Sequence, residues 1–208
     1  TAKVPGIQAY RFRQGNSLYV GLLRNPAGVN VPGHDHGARD IAAFQPVPVT
    51  ISFPQDRHLY EMRSGRYLGL TDRVHQTISD VTAWMLAALP YRVTGIQLTP
   101  AEDRIRSGET QPVEINVQTE GDDSIGLHVF HAELLDPNGR SAAGFAHNTV
   151  AERGNCMLPI SFALNDTPGR WKLVVRDIAT GMTATLDIPL TAGRQPVAAA
   201  GGRIPCDR

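Results

Sequence analysis

Gln111–Gln118 reads QPVEINVQ and Leu127–Gly139 reads LHVFHAELLDPNG, and these two stretches decide the fold. Val113, Ile115 and Val117 alternate with polar neighbours, the period of two that marks a half-buried strand. The second stretch runs as a strand from Leu127 to Leu135 and stops at Asp136-Pro137-Asn138-Gly139. There proline presets φ, and glycine accepts a backbone that other residues avoid. Two strands and a turn in under thirty residues set a rhythm. It continues through 145–151, 156–164, 170–177 and 183–190, with turn signals every 8 to 12 residues, the spacing of a sandwich.

Working toward the N-terminus, 7–13 and 17–24 flank Gln14-Gly15-Asn16 as a hairpin rich in Tyr and Leu. Residues 25–48 change to Pro, Gly, His and Asp with scattered apolar positions, which reads as a long excursion between strands. A short strand at 49–53 closes at Pro54. Residues 58–62 and 66–70 make a hairpin about Ser64-Gly65, and another strand follows at 74–78. The apolar run Ala83–Leu89 has helix-forming composition, but it is short and ends at Pro90, so it is expected to be a buried strand. A charged stretch, Pro100-Ala101-Glu102-Asp103-Arg104, follows the strand-like 90s.

These readings predict an all-β chain of two tandem antiparallel β-sandwiches of immunoglobulin-like type. Residues 1–97 would form a β-rich first domain with the 25–48 loop and residues 98–192 the second. Residues 193–208 would be a flexible tail too bland to bury a core. The 208 residues suit two such domains, and 41% hydrophobic with 19% charged residues fits a globular chain.

Twenty basic residues balance twenty acidic ones, so no net field draws the chain to a polyanion, and nucleic acid is not an expected partner. No run approaches the ~20 apolar residues of a membrane span. The opening Thr1-Ala2-Lys3 has no apolar signal core, as expected of a processed chain. Cys156 and Cys206 are the two cysteines and belong to no CxxC pattern. A disulfide between them would pin the tail in an oxidising compartment, pointing to a secreted, periplasmic or cell-surface location; two unrelated thiols are the alternative.

Several phrases resemble a known family. Residues 132–190, with AELLDPNGR, PISFALNDTPGRWKLVVRDIATG and TATLDIPL, resemble an immunoglobulin-like bacterial β-sandwich. Residues 10–93, with YRFRQGNSLYVGLLRNP, PVTISFPQDRHLYEMRSGRYLGLTDRV and AALPYRV, are similar to the β-rich region that follows the catalytic barrel in large β-galactosidase-like bacterial proteins. The resemblance implies a pair of accessory sandwiches. In such proteins the carboxylates that cleave the glycosidic bond belong to the barrel. This chain lacks the strand-helix alternation of a barrel, so no catalytic residue carries over and a non-enzyme is expected.

His34, His36 and Asp40 form the one local cluster of metal-type ligands: residues two apart in extended chain point to one side and could share a divalent ion, although Gly33 and Gly37 equally suit a solvated loop. His128 and His131, three apart, fall on opposite faces of a strand and cannot share a ligand, while His58, His75 and His147 are isolated. There is no G-x-S-x-G elbow, Cys156 lies in an apolar setting that raises a thiol pKa, and Asp122-Asp123 reads as a solvated turn. For carbohydrate, Trp171 matches a core position of the resembled sandwich and Trp84 sits in an apolar run. Tyr10, Tyr19, Tyr60 and Tyr67 are then the aromatics that could offer an exposed face. The expected function is a structural or protein-interaction subunit that binds other subunits or its own copies. A carbohydrate-binding accessory module and a metal protein built on His34 and His36 are the alternatives.

Overall fold

The chain folds as strands throughout its described length, and the computed structural model describes residues 6–24, 46–79, 83–121, 124–142 and 144–193. Among the described residues there is no helix, and so none long and apolar enough to cross a membrane. The all-β, antiparallel sandwich expectation is the observed fold class.

The first sheet contains β1 (Ile7–Gln14), β2 (Ser17–Arg24), β3 (Val47–Glu61), β4 (Arg66–Ile78) and β5 (Trp84–Leu89), ordered β1-β2-β5-β3-β4, all antiparallel. The helix formers of β5 are strand because β2 and β3 hydrogen-bond it from both sides and Leu86 to Leu89 are fully buried. Tertiary pairing overrides propensity. Pro54 does not close a strand. β3 runs through it for 15 residues, with a register shift between Ser52 and Arg57 where the missing proline N–H costs no ladder bond. The bend there brings β4 back beside β2 and curls the sheet around a small core of Val20, Leu22, Val49, Phe53, Leu59, Ile78, Leu86 and Ala88.

The remaining strands are β6 (Arg92–Pro100), β7 (Ile105–Arg106), β8 (Thr110–Glu120), β9 (His128–Leu135), β10 (His147–Ala151), β11 (Asn155–Ser161), β12 (Gly169–Asp177) and β13 (Thr183–Thr191). They form a sandwich of sheet β10-β9-β12-β13-β7 on sheet β11-β8-β6, in which only the short β7 lies parallel to its neighbour. β8 and β9 supply opposing core faces. Val113, Ile115 and Val117 of β8 are buried with Phe130, Ala132 and Leu134 of β9. A fully buried Leu or Phe contributes roughly 1.5–3 kcal/mol, so such alternation suffices to fix register. At the turn after β9, Asp136 Oδ1 accepts the amide N–H of Asn138 and of Arg140, and Gly139 takes φ 78°. Trp171 is core, its indole N–H donating to the Thr167 carbonyl and its ring edge-on to Phe162.

β6 pairs along β8, so membership passes from the first sheet to the sandwich across Pro90 and Tyr91. The sandwich core also takes in Tyr60, Ala87, Leu89 and Tyr91, so one continuous apolar cluster joins the two parts.

Candidate functional site

Where the first sheet meets the sandwich, burial and polarity coincide. Ser17, at the start of β2, hydrogen-bonds both Tyr19 and Tyr91. The Tyr91 hydroxyl accepts the Gly126 amide at 2.9 Å and lies 3.0 Å from His128 Nε2. His128 Nδ1 is 3.1 Å from Asp177 Oδ1. Asp177 ends β12 and accepts the amides of Ala179 and Thr180 and the Thr180 hydroxyl within the turn to β13. Since the carboxylate only accepts, the His128 Nδ1–H donates to it, and Nε2 accepts the hydrogen bond of the Tyr91 hydroxyl. Tyr91, His128, Asp177 and Thr180 are each at most 1% exposed. A Tyr–His–Asp order suggests a proton relay, but general acid-base work needs a substrate within hydrogen-bond reach, and this chain is sealed. Its role is to satisfy buried polar groups across the junction. Burial pushes Tyr91 above its ordinary value against the opposing Gly126 and Ser17 hydrogen bonds. Burial, reinforced by Tyr91 and Asp177, pushes Tyr19 up to about 12.

A second junction lies at the hairpin tips. The β3–β4 turn rests on the β12–β13 turn with Gly65 against Gly181. A Cβ on Gly181 would stand 2.2 Å from Gly65 Cα, and both residues have positive φ, so glycine is required on both counts. Arg176 Nη2 donates to the Met62 and Arg63 carbonyls at 3.4 and 3.2 Å. The fully buried Tyr60 hydroxyl accepts the Val93 amide at 2.9 Å. Within the hairpin, Glu61 takes the amides of Arg63 and Ser64 and the Ser64 hydroxyl. Burial disfavours its charge, but those bonds and the Arg66 guanidinium outweigh it and hold the carboxyl below its ordinary value.

Beside this hairpin opens a groove of about 810 Å³. Its walls are Glu61, Arg63 and Arg66 on the hairpin, Gln76 to Ser79 at the end of β4, and Ala83 with Trp84 at the start of β5. Arg63 Nη1 donates across it to the Ala83 carbonyl at 3.3 Å. Among the described residues neither Arg63 nor Arg66 makes a salt bridge. A separate feature is the sheet edge. β1 has seven of its eight residues exposed and, among the described residues, no strand beyond it. Tyr10 (47% exposed) and Phe12 (59%) stand on one of its faces.

The aromatic expectations divide. Tyr10 is open, Tyr19 is half-buried and Tyr60 is core. Tyr67 is exposed but stacks on His58 and carries the Arg92 guanidinium 5.3 Å over its ring, so its face is occupied. Trp171 is buried, while Trp84 is half-buried and lines the groove. His128 points into the core, while His131, on the opposite face of β9, meets Asn148 and Glu133. His34, His36 and Asp40 lie outside the described residues, as does Cys206. Among the described residues no group of three His, Cys, Asp or Glu is placed to hold a metal. The Cys156 thiol is half-buried, and burial pushes its pKa up against the Thr149 hydroxyl. The sequence reading missed the Tyr91–His128–Asp177 chain and the Arg63–Arg66–Trp84 groove. The Asp177-Ile178-Ala179-Thr180-Gly181 spacing was the available signal for a capped turn.

No protein-family profile matches the chain, and no curated protein sequence matches it. Solved structures give low-level likenesses. The adhesin InvE of Yersinia pseudotuberculosis is 10% identical with a TM-score of 0.40, covering 90% of this chain and 59% of that one. A conjugative transposon lipoprotein from Bacteroides eggerthii is 19% identical with a TM-score of 0.31, over 45% of this chain and 94% of that one. A Bacteroides uniformis beta-glucuronidase is 9% identical with a TM-score of 0.28, over 86% and 26%. The chain thus spans 59% of the adhesin chain and 26% of the glucuronidase chain, and similarity at this level assigns no activity.

Proposed function

We propose that the chain is a non-catalytic structural subunit of an extracytoplasmic assembly, with two immunoglobulin-like units docked into one rigid block and β1 offered to a neighbouring copy. The observation that carries this reading is β1: an edge that, among the described residues, has no strand beyond it and exposes Tyr10 and Phe12, the kind of edge that proteins cover or pair. Arg11 and Arg13 lie on the same strand, and neither β1 nor β2 contains an acidic residue. Residues 1–90 carry nine basic and six acidic side chains, and residues 91–208 carry eleven and fourteen. Zero net charge therefore conceals two segments of opposite sign, which favours addition of one copy to the next. The sealing of Tyr91, His128 and Asp177 from solvent supports a non-enzymatic role. The resemblance to accessory sandwiches of β-galactosidase-like proteins supports it too. In this reading a Cys156–Cys206 disulfide ties down the tail.

Light scattering on a sizing column tests the proposal. The chain is expected to run as multiples of 22.6 kDa, with association weakening as salt rises, and Tyr10→Glu with Phe12→Glu should restore the monomer. A wild-type monomer at all concentrations, indifferent to those substitutions, overturns it. A second reading, a carbohydrate-binding module, is favoured by Trp84 lining the polar groove.

A further inference from the structure

We propose that the groove between the β3–β4 hairpin and Trp84 binds an acidic sugar, a pyranose bearing a carboxylate or sulfate ester, through Arg63, Arg66 and the indole of Trp84. This rests on the carbohydrate-binding reading and names its ligand class. The groove has the three things such a ligand needs. The first is cationic donors. A guanidinium presents five N–H groups, and Arg63 spends one on the Ala83 carbonyl. Glu61, the acid in the wall, has its oxygens occupied by the Arg63 amide and by the amide and hydroxyl of Ser64. It moderates the positive charge without closing a salt bridge on either arginine. Among the described residues of the wall, two guanidiniums stand against one carboxylate and leave it net positive.

The second is an apolar face. Trp84 is anchored at the start of β5, paired with Leu22 and packed on the curled-sheet core, yet it still lines the groove. A half-buried indole fixed by its strand offers the flat surface on which a pyranose stacks at little entropic cost. The third is a row of neutral hydrogen-bonding groups for ring hydroxyls, supplied by Gln76, Thr77 and Ser79. Gln76 gives its amide N–H to the Thr77 carbonyl, which leaves its side-chain oxygen as an acceptor.

The walls are held from outside. Arg176 grips the Met62 and Arg63 carbonyls and the β12–β13 turn abuts Gly65, so the sandwich braces the hairpin that carries both arginines. A site on braced strands keeps its geometry without a ligand.

Titration of the full chain with trigalacturonate, with a sulfated galacto-oligosaccharide and with neutral galactotriose tests the proposal, read by calorimetry and tryptophan fluorescence. At least one anionic probe is expected to saturate a single site, with affinity falling as salt rises, and the comparison of the two decides between carboxylate and sulfate ester. Arg66→Gln, an exposed change that leaves the core untouched, should lower affinity at least tenfold. Trp84→Phe should remove the fluorescence response while buried Trp171 remains. Equal binding of galactotriose overturns the acidic class and leaves the carbohydrate reading standing. Anionic binding that Arg66→Gln and Trp84→Phe do not alter places the ligand elsewhere and overturns the site. Absence of binding by all three overturns both.

Discussion

His128→Ala would leave the Asp177 carboxylate and the Tyr91 hydroxyl each short of a partner inside the molecule. Unpaired buried polar groups cost about 1–3 kcal/mol each, so a loss of roughly 3 kcal/mol is expected in urea unfolding. Tyr91→Phe keeps the ring and the His128–Asp177 bond but leaves the Gly126 amide and His128 Nε2 short of a partner, so a similar loss is expected. Equal small effects would mean that water replaces the chain. Tyr60 gives a pH prediction. Burial, opposed by the Val93 amide, pushes its hydroxyl up to about 12 from an ordinary value of 10.0. A folded-state pKa above the unfolded one means stability is intact below pH 10 and falls as pH rises through 12, by roughly 3 kcal/mol for two pKa units. Tyr60→Phe should be the less stable protein at pH 7, having lost the acceptor for Val93, yet lose less between pH 9 and 12. Parallel curves would sink the assignment. None of these contacts was legible in the sequence, because periodicity places His128 on a face but does not say which side chains wait across the core.

Strands were more legible than contacts. The alternation of 111–118 and 127–135 became β8 and β9 because one apolar face is all that a sandwich strand needs. Pro54 misled because a proline ends a strand only where its N–H would be used, and at a register shift it is not. The groove was illegible for a related reason: it assembles only once the bent β4 returns beside β2, bringing Gln76 to Ser79 near a hairpin ten residues upstream. The turn-on-turn contact argues a sharp prediction. Gly181→Ala forces a Cβ onto Gly65 backbone and places alanine at φ 74°, and neither conflict can be relieved by a flexible side chain. A loss of roughly 2–4 kcal/mol is expected, with faster amide hydrogen exchange in Met62 to Arg66. Gly15→Ala, with φ 56° but open space, should cost only about 1 kcal/mol and separates strain from clash.

For the whole molecule, the question is whether the curled sheet and the sandwich unfold together. Three independent features tie them: a shared apolar cluster that includes Tyr60, Leu89 and Phe130, the buried chain from Ser17 to Asp177, and the glycine contact braced by Arg176. Separating them would expose Tyr60, Ala87, Leu89 and Tyr91 and break the Tyr60–Val93 and Ser17–Tyr91 hydrogen bonds, a cost of several kcal/mol comparable to the net stability of a small domain. One calorimetric transition is therefore expected, with van't Hoff and calorimetric enthalpies in agreement. Combining Arg176→Ala with Gly181→Ala weakens the junction while leaving the two cores intact, so this variant should resolve into two transitions, the curled sheet melting first because its core is the smaller. Two transitions already in the wild type would mean that the junction is worth less than either core, and a single one in the double variant that the shared cluster alone couples them.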